Sequence, residues 1–332
     1  MSETLPEKVK LLYDKFGQRK QMGIASASVD RPHFFLHRQF TGDQDLLIIF
    51  NSKRCRYQCS FCDLPMKNSD AFIEYESILN QFEYVIQEMK NSLSMLTRIT
   101  LSNDGSILDP RTFPSECLNV IADCINELRQ IRRVVLETRI EFVDPLLVKK
   151  IGDRCSKSTI DILVGFETYD EYIKTKILKK MEPLNLFLNG LDKVAESGAE
   201  LTSYILYKPS YEMNDEEAFI EACKTYEFLK RECEKRSIKL SVRLNPMYAA
   251  ANSQWANLAL KNKNYNPPKL TEVMKLAELI RMDKVSVYIG LSTEGLDIPN
   301  GNYMFREDYS TKLIKPIKLF NDSKIDSFSG YI

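Results

Sequence analysis

Leu46-Leu-Ile-Ile-Phe50-Asn-Ser-Lys-Arg-Cys55-Arg-Tyr-Gln-Cys59-Ser-Phe-Cys62 is the stretch on which the reading of this sequence turns. It opens with a short apolar run, Leu46–Phe50, of the length and branched composition of a buried strand. The run passes directly into a loop carrying three of the chain's eight cysteines. A chain of this length with scattered remaining cysteines does not read as a disulfide framework. Cys117, Cys124, Cys155, Cys223 and Cys233 fall in segments that read as helices or their connections. Cys117 and Cys124 are seven apart, share one helical face, and read as core thiols.

Moving outward, the strand at Leu46–Phe50 is the first of a series. Further β-type runs stand at Arg98–Leu101, Arg133–Leu136, Ile160–Gly165, Leu201–Leu206 and Lys239–Leu244, with one more at Val285–Ile289. Helical patterns separate them at Tyr75–Lys90, Pro114–Leu128, Asp144–Ile151, Pro183–Ser197 and Asp215–Lys235, and another follows at Leu270–Ile280. Asp144 before Pro145 places a capping carboxylate ahead of a proline suited to the first turn. Asn214 followed by Asp215-Glu-Glu217 puts acids where the helix dipole favours them. The strands lack polar alternation, as expected when both faces are covered. Six strand–helix repeats predict parallel β/α units, and a partial (β/α)6 barrel fits them best, with a doubly wound sheet as the alternative. Residues 1–44 read as an N-terminal extension, 45–289 as the barrel, and 290–332 as a C-terminal extension that is polar and irregular from Asn300. In either fold, functional side chains are expected just beyond the C-terminal ends of the strands.

The cysteine loop stands at such an end. Three thiolates on one short loop can ligate three irons of a cubane, leaving the fourth iron open for chemistry. Zinc is the competing reading. Structural zinc usually takes four ligands in two pairs, and neither His33 nor His37 is well spaced to complete such a set. The pattern Cys-x3-Cys-x2-Cys after the first strand, with Phe61 before the last cysteine, resembles the radical S-adenosylmethionine superfamily. The resemblance implies a 4Fe–4S cluster on Cys55, Cys59 and Cys62, with S-adenosyl-L-methionine chelating the open iron, and it places Phe61 against the adenine. It also implies an external electron donor of flavodoxin or ferredoxin type.

Later strand ends extend the likeness. Leu101-Ser-Asn-Asp-Gly-Ser106 stands where the family has a glycine-bearing turn facing the amino group of S-adenosylmethionine. Ser102, Asn103, Asp104, Gly105 and Ser106 are therefore candidate contacts, although the turn departs from the commoner Gly-Gly-Glu form. After the next strand, Glu137 suits the ribose hydroxyls and Arg139 the methionyl carboxylate. Glu167 joins the cofactor contacts. Tyr207, Lys208, Arg243, Asn245 and Tyr248 are candidate catalytic residues for the substrate. Together the strand ends look like the branch of the Elongator catalytic subunit and the archaeosine synthase radical subunit.

Composition narrows the partners. Lys+Arg and Asp+Glu are 46 each, so the formal net charge is zero. A protein gripping long nucleic acid usually carries a basic excess, which favours a small nucleotide- or sugar-like metabolite. No apolar signal core opens the chain and no run is long enough to span a bilayer, so a cytoplasmic protein is expected. Only 54 residues precede Cys55, too few for a cobalamin-binding domain, and no acetyltransferase segment follows the barrel. Three readings stay open: a radical enzyme on a small metabolite, a radical tRNA-modifying subunit working with a partner, and a non-catalytic metal protein.

Overall fold

The computed structural model describes residues 28–62, 69–103, 105–248, 253–262, 265–291 and 311–331. Eight strands form one sheet in strictly sequential order. β1 (Phe34–Phe40) runs antiparallel to β2 (Asp43–Ile49). From β2 onward, β3 (Arg98–Ser102), β4 (Arg133–Glu137), β5 (Thr159–Glu167), β6 (Glu200–Tyr207), β7 (Leu240–Pro246) and β8 (Ser286–Ile289) are all parallel. A doubly wound sheet reverses its strand order at a switch point. This order never reverses, so the partial barrel is the architecture. The sheet curls until its edge strands meet: Phe40 of β1 stacks on Tyr288 of β8 with ring centroids 4.2 Å apart.

Helices α1 (Tyr75–Glu88), α2 (Glu116–Glu127), α3 (Pro145–Arg154), α4 (Leu184–Ser197), α5 (Asp215–Glu234), α6 (Gln254–Lys261), α7 (Leu270–Met282) and α8 (Thr311–Asn321) are the α-helices among the described residues. Alternate strand residues such as Ile99, Leu101, Val134, Leu136, Leu201 and Ile205 face the helices and form the main core. The caps work as the residue types predict. Asp144 accepts from the Leu146 amide at 2.9 Å. Asn214 and Glu217 form a reciprocal capping box, each bond 2.9 Å. No helix among the described residues is long and apolar enough to cross a membrane.

The other strand face lines a lumen whose floor is charged. Asp45 accepts from Arg38 Nε at 2.9 Å and from Thr100 Oγ1 at 2.8 Å, while Arg133 Nη1 reaches Glu200 at 2.6 Å. This floor explains why β1 escapes the sequence pattern. Its lumen-side residue Arg38 is matched to Asp45 on the neighbouring strand, so an interior position reads as polar. Two further elements differ from expectation. The sequence predicts irregular structure from Asn300 onward, yet α8 buries Ile317 and Phe320. The Asn321 amide also completes the edge of β8, bonding both Ile289 N and O at 2.8 Å. Cys117 is core as expected, whereas Cys124 is exposed.

Candidate active site

β2 delivers the chain to the cysteine loop at the C-terminal mouth of the barrel. Cys55, Cys59 and Cys62 are all half-buried, neither sequestered in the core nor free in solvent. The loop is fixed from two sides. Ser60 donates its amide to Leu178 O at 2.8 Å and its hydroxyl to Ile177 O at 2.6 Å. The Trp255 amide of α6 donates to Ser60 O at 2.8 Å. Trp255 Nε1 reaches across to Pro209 O at 2.9 Å, so α6 ties the cysteine loop to the loops after β5 and β6. Phe61 packs half-buried against this satellite core of Leu178, Met247 and Trp255.

The glycine turn lies directly behind the first cysteine. A Cβ built on Gly105 would stand 3.3 Å from the Cys55 Cβ, so the bare backbone permits the close approach. Asn103 donates to Ser52 Oγ at 3.1 Å. Ser102 is buried at the end of β3, and its carbonyl accepts from Phe50 N at 2.8 Å. Ser106 Oγ accepts from the Arg139 amide at 3.0 Å, joining the turn to the end of β4. Asp104 lies outside the described residues.

Two buried cations flank the loop, and only one was legible in the sequence. Arg139 donates to Glu141 at 2.5 Å and to Met181 O at 3.0 Å, with its guanidinium 3.8 Å from the centroid of Tyr57. Lys180 is the second. Its amine bonds Glu167 Oε1 at 3.2 Å and also the Gly165 carbonyl. Burial opposes the charge on Lys180, but Glu182 and Glu167 outweigh it and raise its pKa. Burial likewise pushes the Cys55 and Cys59 thiols up, with Arg139 opposing at both and Lys180 at Cys59. Glu182 is wholly buried 3.7 Å from both Arg139 and Lys180, and burial raises its pKa despite them. Lys180 follows Glu167 by thirteen residues, too far along the loop for a search of strand ends. Its signal was the Lys179-Lys180-Met-Glu182 cluster.

β5 shifts register between Gly165 and Glu167, and Glu167 adopts φ 70°, which turns its carboxylate over the mouth toward Lys180. The bare Gly165 makes room: a Cβ there would meet both Glu167 Oε1 and Lys180 Nζ. Deeper in the lumen stand Glu137, Tyr204 and Arg243, of which Tyr204 was missed. The pattern Thr202, Tyr204, Leu206 on one face of β6 was its signal. Asn245 points toward Gly290, where any Cβ would collide with its side chain, and Tyr248 is half-buried beside the satellite core.

Two expected substrate residues are not brought to the mouth. Tyr207 is fully buried in the helix-side core, where burial and nearby Glu272 and Asp215 raise its pKa. Period-two alternation puts it on the opposite face from Tyr204. Lys208 turns outward as well, with its amine 2.6 Å from Asp215 at the start of α5 and only 1% of the side chain exposed.

The partial parallel barrel carries its Cys-x3-Cys-x2-Cys loop directly after the first parallel strand, the arrangement on which the resemblance to radical S-adenosylmethionine enzymes rests. The cofactors of that class are a 4Fe–4S cluster and S-adenosyl-L-methionine. The chain is similar to an uncharacterized protein of Methanocaldococcus jannaschii, 24% identical over 286 residues, covering 84% of this chain and 76% of the relative. It is also similar to the archaeosine synthase subunit beta of Thermococcus kodakarensis, 22% identical over 171 residues. That match spans 50% of this chain and 52% of the relative. No family model matches the chain. Among solved structures, a spore photoproduct lyase variant holding a dinucleoside spore photoproduct aligns with TM-score 0.48 and 15% identity, covering 78% of each chain. That likeness is too loose to carry an argument.

Proposed function

We propose that this chain generates a 5′-deoxyadenosyl radical for hydrogen abstraction from a small, nucleotide- or sugar-like metabolite seated at the barrel mouth. The observation that carries this is three half-buried thiols on one loop, with Cys55 against Gly105 and with Arg139 and Lys180 close enough to act on Cys59. The donor set suits the group: three cysteines supply one thiolate to each of three irons of a cubane. A cluster held there would leave one iron open to S-adenosylmethionine and would supply the electron for cleavage of its sulfonium. The chain's own residues do the rest. Gly105 lets backbone come close to the methionyl amine, with Ser102, Asn103 and Ser106 beside it; the sequence-expected contact Asp104 lies outside the described residues. Arg139 and Lys180 hold the methionyl carboxylate, Glu137 the ribose, and Phe61 the adenine. Glu167 keeps Lys180 in place, and Asn245 and Tyr248 border the substrate. The catalytic barrel runs from β1 at Phe34 to β8 at Ile289, because β1 joins the sheet that the sequence reading began at Asp45, and a flavodoxin- or ferredoxin-type protein delivers the electron.

A second reading is favoured by the relatives named archaeosine synthase subunit beta: a radical subunit acting on RNA together with a partner. Neutral charge weighs against strong RNA binding by this chain alone. One experiment separates the two. Reconstituted protein is given dithionite and S-adenosylmethionine, and 5′-deoxyadenosine is quantified; tRNA binding is then measured across a salt series. Release of 5′-deoxyadenosine with tRNA affinity lost near physiological salt supports the metabolite reading. Tight, salt-resistant tRNA binding overturns it in favour of the second.

A further inference from the structure

A hydrogen-bonded chain crosses the lumen beneath the site. Arg243 Nη1 of β7 donates to Tyr204 Oη of β6 at 3.0 Å, and Tyr204 Oη donates to Glu137 Oε1 of β4 at 3.0 Å. Arg243 is buried at one end of this chain, while Tyr204 and Glu137 are half-buried and face the lumen. The inner end is immobilised. The Arg243 guanidinium sits 4.8 Å from the Tyr204 ring centroid, 5.1 Å from Phe40 and 5.5 Å from Tyr288.

Two physical consequences follow. Arginine keeps its charge in any protein environment, so its donation polarises the phenol and strengthens the bond that Tyr204 gives to Glu137. Glu137 ends its strand, where a carboxylate without such a bond would keep several rotamers and lose them only on binding a ligand. A carboxylate has about four lone-pair sites, so the bond from Tyr204 takes up only one of them.

We propose that Tyr204, braced by Arg243, is a positioning residue that fixes Glu137 for recognition of the ribose diol of the adenosyl group. This rests on the reading of Glu137 as the ribose contact. It also moves Arg243 from the substrate to the scaffold: it acts through Tyr204.

The test uses reconstituted full-length protein and two probes measured by calorimetry, 5′-deoxyadenosine and its analogue lacking both ribose hydroxyls. The readout is the affinity ratio between probes, which a general loss of folding does not change in one probe alone. Wild type favours the diol. Tyr204→Phe is expected to cut that preference about fivefold, the size of one lost hydrogen bond, with the hydroxyl-free probe binding as before. Glu137→Gln should cut it at least as far, and the double variant no further. A preference reduced by Glu137→Gln but intact in Tyr204→Phe overturns the positioning role and leaves the ribose contact standing. A preference intact in Glu137→Gln removes the ribose contact itself.

Discussion

The guanidinium of Arg139 lies 3.8 Å from the ring centroid of Tyr57, a residue inside the cysteine loop. The end of β4 and the cysteine loop are therefore one mechanical unit, and changes at Arg139 act on both. Arg139→Ala should weaken S-adenosylmethionine by about 1.5–3 kcal/mol through the lost charge-assisted bond. It should also lower iron retained after gel filtration, because the stack on Tyr57 is gone. Arg139→Lys keeps the charge but neither the planar stack nor the fork, so iron loss is expected to persist while affinity partly recovers. Full iron occupancy in both variants would sever the link between stack and loop.

Anaerobic reconstitution should yield about four irons and four sulfides per chain, from one cubane held by thiolates. Cys59→Ala should lose most of that iron. Stoichiometric zinc with no reconstitutable iron would defeat the proposed chemistry.

Tyr207→Phe should leave turnover and stability close to wild type. The phenolic oxygen is buried without a hydrogen-bond partner among the described residues, and removing such a group is close to neutral or stabilising. Lys208→Ala should instead destabilise by about 1–3 kcal/mol, since Lys208 is buried against Asp215. Turnover per folded molecule should hold. Urea denaturation and specific activity separate these effects.

Acid sensitivity should concentrate at Glu232. Lys235 chiefly, with Arg236 and Arg231, pulls its carboxyl down to about 2. Because the folded pKa lies below the unfolded one, this stability is present above about pH 4.3 and is lost as pH falls toward 2. Glu232→Gln should therefore cost about 1–2 kcal/mol at pH 7, a figure reduced for solvent screening. The cost should shrink between pH 5 and pH 2 in urea titrations. A difference independent of pH would rule out the charge as its source.

The parallel strands and the cysteine loop were legible because their signals are local: branched apolar runs, capped helices, three thiols in eight positions. What the sequence hid was set by contacts distant along the chain. Arg38 looks like surface until Asp45 and the curled sheet enclose it. Lys180 matters because the loop after β5 folds back on the cysteines, and its partner Glu167 turns inward through a bulge. Tyr207 and Lys208 were placed at the mouth by proximity to a strand end. The pleat and the attraction of Asp215 send both side chains outward instead.

The stack of Phe40 on Tyr288 joins residues separated by nearly the whole described chain. During synthesis, a nascent chain ending before β8 leaves Phe40 unstacked and the β7 edge bare, an invitation to pair with another polypeptide. Maturation of the interior must then wait until β8 has been made, so a strand far from β1 along the chain closes the sheet.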